Sequence, residues 1–322
     1  MSNILIAGGS GYIGTLLSEK LENSNHNVSI LDLMWFGNNF SNSPHIIKKD
    51  ILKISENDIA DYDTVIFMAG LSNDPMANFS PSMNFVQNIS APTYLAYISK
   101  KVGVKRFIYA CSCSIYGYTK DQEISEDMDS TQYPSITTHP YGISKKIGEL
   151  GILGLKDDDF SPISLRKGTI GGWSPRMRFD LVINAMTKSA ITTGKINVSN
   201  PDIWRPIVDV RDVVDAYILA IDADRSINGA FNIVENNYNL KEIAKEIQKT
   251  LSTNGINCDI GYNNIEDVRN YKASNIKAKT ILGFNPKFKI KDTVEYLINN
   301  IPNNFNFENP NYYNIEIFKK LL

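Results

Sequence analysis

The chain has 322 residues, of which 43% are hydrophobic and 21% are charged, and its formal net charge is −2. A chain of this size and composition buries its own core, and the slightly acidic balance predicts no nucleic-acid partner. The sequence contains no run of about 18 apolar residues, so no membrane span is predicted, and no signal peptide is visible at the N-terminus. The three cysteines and three histidines are too scattered for a disulfide framework or a metal site, so we expect a cytoplasmic protein.

Apolar runs and helical periodicity alternate along the first half of the chain. Short apolar runs that end in glycine or polar residues predict buried parallel strands, and apolar residues three or four apart predict helices. The predicted strands are 3–9, 27–33, 64–70, 106–112 and 162–168, and the predicted helices are 12–24, 82–102 and 141–153. Strands that alternate with helices form βαβ units, so we expect a doubly wound parallel sheet.

The pattern changes after about residue 168 to loops rich in glycine, proline and tryptophan. Residues 207–221 predict a strand, a turn and a helix that return to the first sheet. The later elements predict a smaller α/β lobe, with strands at 229–234 and 258–262 and helices at 239–251 and 291–301. The tail at 311–322 predicts a helix whose docking position the sequence does not define.

A glycine loop joins the first predicted strand to the first predicted helix. Gly8, Gly11 and Gly14 give the spacing G-x-x-G-x-x-G. Glycines there let the chain turn tightly and let the backbone approach a pyrophosphate at the helix N-terminus, where amide groups and the helix dipole favour anions. The same spacing can serve a plain turn, but the order of strand, loop and helix favours dinucleotide binding. The fold class is therefore α/β, a Rossmann domain (1–165 plus about 207–222) with a smaller α/β substrate-binding lobe (166–206 and 223–322).

Acidic residues at the ends of the next two strands indicate which dinucleotide is bound. Asp32 ends the second strand, where a carboxylate can accept hydrogen bonds from the adenosine ribose. A 2′-phosphate would be repelled there, and residues 33–39 contain no arginine or lysine to bind it, so NAD is favoured over NADP. Asp50 and Ile51 follow a predicted third strand and are expected to flank the adenine.

Three tyrosine–lysine pairs have the four-residue spacing of one helical turn: Tyr97–Lys101, Tyr116–Lys120 and Tyr141–Lys145. A nearby ammonium can stabilise a tyrosine phenolate, so each pair is a possible acid/base. Tyr97 lies late in a helix, and Tyr116 lies in a turn. Tyr141 begins a helix and follows a strand that ends in hydroxyl-bearing residues at 111–114, at the sheet edge where ligands bind in open α/β sheets. We therefore choose Tyr141–Lys145.

Several motifs follow one another in a set order from about residue 3 to 300. They are GGSGYIG (8–14), Asp32, Asp50–Ile51, FMAGLSNDP (67–75), Asn88, CSCSIYG (111–117), PYGISK (140–145) and VDVRDV (208–213). As a set they resemble the extended short-chain dehydrogenase/reductases of the NAD-dependent epimerase/dehydratase family, which act on nucleotide-linked sugars. Segments 174–184 and 268–284 are similar to bacterial surface-polysaccharide enzymes that oxidise or epimerise sugars at C4, including nucleoside-diphosphate-heptose 4-dehydrogenases.

The resemblance implies roles for individual residues. Tyr141 would be the acid/base, Lys145 would bind the nicotinamide ribose and lower the pKa of Tyr141, and Ser112 would hydrogen-bond the reacting sugar hydroxyl. Arg205 and Arg269 resemble arginines that bind the substrate diphosphate, for which a guanidinium fork is suited. The other implied cofactor contacts are Tyr12, Ile13, Met68, Ala69, Gly70 and Asn88.

The two positions directly after Ser112 hold different residues from those found in related enzymes that catalyse other reactions. Sugar 4,6-dehydratases have an acidic pair where this chain has Cys113 and Ser114, and decarboxylating relatives keep a glutamate in this segment. Bifunctional epimerase–reductases have a cysteine where Ser114 stands. Cys113 is one residue away, and one step along a strand turns a side chain to the opposite face, so we expect Cys113 to be a buried structural residue.

The expected sugar contacts also depart from the family pattern. Relatives often have an aromatic residue and an asparagine where this chain has Lys167, Gly168 and Thr169, so Thr169 is a substrate-contact candidate but the sugar is not defined. Arg176 and Arg178 lie close to the expected cleft. They could bind substrate phosphate or sugar, or they could pair with acids on the surface.

The sequence therefore predicts an NAD-dependent enzyme that transfers hydride at a sugar carbinol, C4, of a nucleoside-diphosphate sugar. Returning the hydride to the other face of the ketosugar gives an epimerase, releasing the ketosugar gives a 4-dehydrogenase, and starting from a ketosugar gives a reductase. A non-catalytic NAD-binding regulator on the same fold is the remote alternative. The resemblance also implies a homodimer built on the helices near 82–102 and 141–155.

Overall fold

A computed structural model of the chain describes residues 2–41, 43–126, 139–264 and 269–321. The strands are β1 Asn3–Ala7, β2 Asn27–Leu31, β3 His45–Ile47, β4 Thr64–Phe67, β5 Arg106–Ser112, β6 Tyr118–Ile124, β7 Ser161–Lys167, β8 Thr169–Gly171, β9 Lys195–Ser199, β10 Trp204–Asp209, β11 Gly229–Ile233, β12 Asn236–Asn239, β13 Asp259–Asn263 and β14 Asn270–Ala273. The helices are α1 Gly14–Glu22, α2 Asp74–Phe79, α3 Pro81–Phe85, α4 Ala91–Lys101, α5 Pro140–Leu153, α6 Val182–Thr193, α7 Val210–Asp222, α8 Leu240–Thr253, α9 Ile290–Asn300 and α10 Asn314–Leu321.

Seven strands form one parallel sheet in the order β11-β7-β5-β4-β1-β2-β3. Side chains that alternate along these strands pack on the two faces of the sheet, as the pleat of a strand requires. One face packs against α1 and α7, and the other packs against α4 and α5. The sheet is therefore covered on both sides, and the predicted doubly wound Rossmann architecture is confirmed.

The helix that begins the PYGISK motif starts where its sequence predicts. Pro140 occupies the first turn of α5, where its missing amide hydrogen has no cost because that group has no partner within the helix. Gly148, on the same helix, faces the backbone of Asn88, and an added Cβ would lie 2.4 Å from the Asn88 carbonyl oxygen. Close packing at this glycine brings α5 against the helical segment before α4.

Two strands do not join the sheet that the sequence indicates. We expected the strand in 207–221 to return to the first sheet, but β10 pairs with β8 and β12 in a separate three-stranded sheet. Of the segment 207–221, it is the helix α7 that packs on the large sheet. We assigned 229–234 to the smaller lobe, but β11 pairs in parallel with β7 at the edge of the large sheet. Both strands are buried apolar runs, and an apolar run does not specify its partner.

The remaining helices pack around a separate core. Apolar residues of α6, α8 and α9 enclose β9 and the start of β10, and α10 packs on α2 through Phe318. The helix predicted in the tail is thus observed, and its docking site is now defined. None of the helices in the described ranges has the length and apolar content needed to cross a membrane.

Candidate functional site

A cavity of about 620 Å³ opens at the carboxyl ends of the sheet strands, between the sheet and the smaller core. Nearly all the predicted site residues line it, although they come from distant parts of the chain. They are Gly8, Gly11, Tyr12, Ile13, Gly14, Asp32, Asp50, Ile51, Met68, Ala69, Gly70, Ser112, Tyr141, Lys145, Thr169, Arg176, Arg178, Arg205 and Arg269. Asn88 is the exception, because its buried amide donates behind the cavity to the Leu71 carbonyl and to Asn84.

The glycine loop forms a cradle that a side chain would fill. Gly8 has a φ of +81°, and an added Cβ would lie 2.4 Å from the Ala69 amide nitrogen. A Cβ at Gly14 would lie 2.4 Å from the Gly9 carbonyl oxygen. No side chain caps the N-terminus of α1, so this end of the helix is suited to a phosphate group.

Asp32 is fixed beside this loop by the backbone. One carboxylate oxygen accepts a hydrogen bond from the Ser10 amide at 3.0 Å, and the other accepts one from the Met34 amide at 2.7 Å. A carboxylate oxygen can accept two hydrogen bonds, so the oriented group can still bind ribose hydroxyls. The glycine cradle, the uncapped helix and Asp32 together fit the adenosine diphosphate half of NAD.

Ser112, Tyr141 and Lys145 meet at the opposite end of the cavity. Tyr141 is buried and hydrogen-bonds with Ser112, and the Ser112 hydroxyl also donates to the Ser114 hydroxyl at 3.0 Å. The Lys145 ammonium donates to the Ala110 carbonyl at 3.1 Å. Burial raises the pKa of Tyr141, and burial lowers the pKa of Lys145 to about 8. The protein alone therefore disfavours charge on both groups.

The other two tyrosine–lysine pairs lie outside this cavity. Tyr97 is 56% exposed, and Lys101 pairs with Glu56 on the surface. Tyr116 is buried, where its hydroxyl donates to Asn232 at 2.7 Å. The Lys120 side chain lies outside the described residues. Only the pair beginning at Tyr141 has both side chains among the cavity-lining residues of the described chain.

The four candidate substrate arginines have different environments. Arg178 forms a two-point ion pair with Asp180, with N–O distances of 2.9 and 2.7 Å, and both residues line the cavity instead of lying on the outer surface. Arg176 lies over the Phe36 ring, in the loop that follows Asp32. Because that loop borders the predicted adenosine site, Arg176 stands closer to the cofactor end of the cavity than the sequence indicates.

Arg205 and Arg269 lie next to each other on the other side of the cavity. A guanidinium nitrogen of Arg205 donates to the Arg269 carbonyl, and the group also lies over the Tyr271 ring. The Arg269 guanidinium forms an ion pair with Asp74 at 2.9 Å. Both arginines line the cavity, and guanidinium groups can bind a diphosphate through several N–H donors at once.

A second buried lysine faces the cavity beside Ser112. Lys167, at the end of β7, pairs with Ser112 in the sheet register, and its ammonium donates to the Tyr217 hydroxyl at 3.2 Å. Burial and the nearby Lys145 charge lower the pKa of Lys167 to about 7. The sequence shows that related enzymes often have another residue at this position, but it assigns Lys167 no role. A lysine at the end of a buried apolar strand was the one sign in the sequence that this side chain could face a site.

An ion pair that the sequence does not indicate connects α5 to the sheet. Glu149 lies on α5 one turn after Lys145, and its carboxylate accepts hydrogen bonds from Arg166 at 2.6 and 2.9 Å and from Ser164 at 2.6 Å. Both charged side chains are almost completely buried. Burial would raise the pKa of Glu149, but the Arg166 charge and these hydrogen bonds outweigh burial and hold it below the ordinary value.

Comparisons with known proteins identify the family of the chain. The family described as the NAD dependent epimerase/dehydratase family matches residues 4–234. UDP-glucose 4-epimerase of Lactobacillus helveticus is 25% identical, over 90% of this chain and 94% of the relative. UDP-glucuronic acid decarboxylase 5 of Arabidopsis thaliana is 23% identical, over 90% and 86%.

Among solved structures, MoeE5 in complex with UDP-glucuronic acid and NAD has a TM-score of 0.81 at 23% identity, covering 92% of this chain and 98% of that chain. At this identity the superposition shows the shared fold, and the family match covers most of the chain. The glycine cradle and Asp32 fit the cofactor on which the family depends. The chain therefore belongs to the NAD-dependent epimerase/dehydratase family and is an NAD-dependent enzyme of the extended short-chain dehydrogenase/reductase type.

Proposed function

We propose that this enzyme transfers hydride at C4 of a nucleoside-diphosphate sugar, with Tyr141 as the acid/base. The observation that carries the proposal is one cavity with three parts: the glycine cradle at one end, Ser112 with Tyr141 and Lys145 at the reacting centre, and the adjacent arginines Arg205 and Arg269. The first part suits a dinucleotide, the second suits proton transfer at a hydroxyl, and the third suits a diphosphate. The relatives named for UDP-sugars support the same substrate class.

Each residue at the reacting centre has a separate task. Bound NAD supplies the acceptor and donor of hydride. Tyr141 accepts the proton of the sugar hydroxyl during oxidation and returns it during reduction. Ser112 hydrogen-bonds Tyr141 and orients the same oxygen. The task of Lys145, when charged, is to supply positive charge that favours the phenolate.

The same constellation serves three reactions. If the ketosugar turns over within the site and is reduced on its other face, the product is the C4 epimer. If the ketosugar leaves, the enzyme is a 4-dehydrogenase, and if a ketosugar enters, it is a reductase. We favour the epimerase, which agrees with the UDP-glucose 4-epimerase relative. The likeness of segments 174–184 and 268–284 supports a place in surface-polysaccharide sugar synthesis.

The carboxylates of the cavity do not favour loss of water or carbon dioxide. Cys113 points away from the cavity, and its thiol contacts the Arg166 carbonyl at 3.2 Å. Near Tyr141, Asp74 pairs with Arg269 and Asp180 pairs with Arg178. Because each of these carboxylates is held by a guanidinium group, we do not assign them the role of the acidic pair of the dehydratases.

We therefore expect every product to keep the carbon and oxygen skeleton of its substrate. Incubation with a panel of nucleoside-diphosphate sugars, read by mass spectrometry, should give either unchanged mass with a new configuration or a change of two hydrogens. Unchanged mass identifies an epimerase, and a two-hydrogen change with equal cofactor turnover identifies a dehydrogenase or reductase. A product lighter by water or carbon dioxide would contradict the argument from Cys113 and Ser114. Bound NAD without turnover on any sugar nucleotide would favour the regulator instead.

We also propose that the enzyme is a cytoplasmic homodimer joined through α4 and α5. The free cysteines, Cys111, Cys113 and Cys258, suit a reducing compartment. Tyr97, Ile147 and Leu150 leave large apolar side chains exposed on these two helices, and grouped apolar surface of this kind marks an interface.

Light scattering should give the mass of two chains for the wild type and of one chain for Leu150→Glu. Ile276→Glu is the matched control, since Ile276 is also exposed but lies outside these helices. A wild-type mass of one chain at micromolar concentration would contradict the dimer.

A further inference from the structure

Arg176 is a buried cation in need of an anion. Its side chain is 2% exposed, and its guanidinium carbon lies 3.6 Å from the centre of the Phe36 ring. One terminal nitrogen donates to the Asn314 side-chain oxygen at 2.5 Å, and the other donates weakly to the Met177 carbonyl at 3.5 Å. Its Nε has no hydrogen-bond partner in the described part of the chain, and no described carboxylate forms a salt bridge with it.

Burying a guanidinium in this way is energetically unfavourable when no ligand is bound. A buried charge is stabilised only when a counter-charge and hydrogen bonds replace the water that it has lost. Burial accordingly lowers the pKa of Arg176 to about 9. Arg178, two residues later, shows the alternative, because its guanidinium is fully paired with Asp180. Arg176 lines the cavity instead of pairing with a carboxylate.

Arg176 lies beside the part of the cavity that fits the cofactor diphosphate. Two residues earlier, the Ser174 hydroxyl donates to the Tyr12 carbonyl at 2.6 Å and lies 3.0 Å from the Thr15 hydroxyl. These contacts hold the segment against the glycine loop and the first turn of α1. Phe36, whose ring lies against the Arg176 guanidinium, belongs to the loop that follows Asp32. Arg176 is therefore enclosed by the two elements that flank an adenosine diphosphate in this fold.

The α10 helix positions this guanidinium. Asn314 begins α10, and its side-chain nitrogen donates to the Ser72 hydroxyl at 2.7 Å while its oxygen accepts from Arg176. Further along, Phe318 is buried against Leu71 and Met76. Asn314 is thus held between the loop after β4 and Arg176.

We propose that the Arg176 guanidinium binds the diphosphate of NAD, and that Asn314 positions it for that contact. This assignment moves Arg176 from the substrate side to the cofactor side. The assignment rests on the proposed use of NAD, but it does not depend on which sugar reacts. It can therefore be wrong while the proposed reaction at C4 is right.

Calorimetric titration of the cofactor-free enzyme with NAD, ADP, adenosine and UDP tests the assignment. Arg176→Met should weaken NAD and ADP binding by about ten- to hundredfold, the range for a hydrogen bond to a charged group, and should change adenosine and UDP binding less than threefold. Asn314→Asp should act in the same direction, because its carboxylate would compete with the diphosphate. Arg176→Lys should recover part of the affinity.

The control variant is Lys188→Met. Lys188 also lies over an aromatic ring, that of Tyr313, next to α10 but outside the cavity, and its loss should leave all four affinities unchanged. Thermal unfolding of each variant shows whether it is folded. Equal losses for ADP and adenosine would overturn the proposal in favour of a structural role. A loss for UDP alone would overturn it in favour of the substrate diphosphate, and unchanged affinities would also overturn it.

Discussion

Tyr141→Phe is expected to lower kcat by at least about 100-fold, the usual contribution of a positioned acid/base, while NAD binding remains close to that of the wild type. The substitution removes only the hydroxyl that hydrogen-bonds Ser112, and the ring stays buried in the same place. Because the proton transfer is lost and the cavity is kept, the effect should fall on kcat and not on the dissociation constant of NAD. Steady-state kinetics and NAD titration measure the two quantities separately.

Tyr97→Phe is the matched control for this variant. Tyr97 has the same spacing to a lysine, but it is exposed on α4 and its lysine pairs with Glu56. The substitution should change kcat less than about twofold, because Tyr97 lies outside the cavity, the ring that faces the proposed dimer interface is kept, and substitutions away from special features have small effects. If Tyr97→Phe were inactive and Tyr141→Phe active, the choice among the three pairs would be wrong.

Glu149→Gln is expected to lower the free energy of unfolding by about 3 to 5 kcal/mol, the scale for breaking a buried ion pair by removing one partner. The buried Arg166 guanidinium would lose the Glu149 charge that offsets its desolvation, and α5 would lose its charged connection to β7. Urea denaturation measures the change. The control is Glu56→Gln, which removes an exposed ion pair with Lys101 and should have a much smaller effect on the free energy of unfolding, because solvent screens exposed ion pairs. Equal costs for the two variants would contradict the argument from burial.

The same pair predicts how acid affects stability. The folded-state pKa of Glu149 is lowered, so its contribution is complete above the ordinary glutamate pKa of about 4.3 and is lost as the pH falls through the lowered value. Between neutral pH and an acidic pH below the ordinary value, the wild type should therefore lose more stability than Glu149→Gln. Denaturation at both pH values measures this difference.

The sequence predicted the parts of the molecule that depend on local pattern and motif. The strands that carry the glycine loop and Asp32, and the helix of Tyr141 and Lys145, are found where periodicity places them. The pairing partners of strands that lie far apart in the sequence were harder to predict. β10 and β11 are both buried apolar runs, and apolar character alone does not indicate which sheet a strand enters.

The arginines show the same limit at the scale of side chains. Arg176 and Arg178 are two residues apart in one motif, yet one forms an ion pair with Asp180 and the other contacts Asn314. Asn314 is 138 residues away along the chain, and no local pattern connects it to Arg176. The roles of these arginines therefore required the folded arrangement.

The open sheet has two edges, and each is protected from aggregation. The β3 edge has only three residues and is followed by Lys48 and Lys49, and short strands with flanking lysines discourage pairing with another chain. At the β11 edge, the Asn232 amide donates to the Glu126 carboxylate, and its side chain donates to the Ser274 carbonyl. Strand addition, the usual route to fibres, is thus disfavoured at both edges.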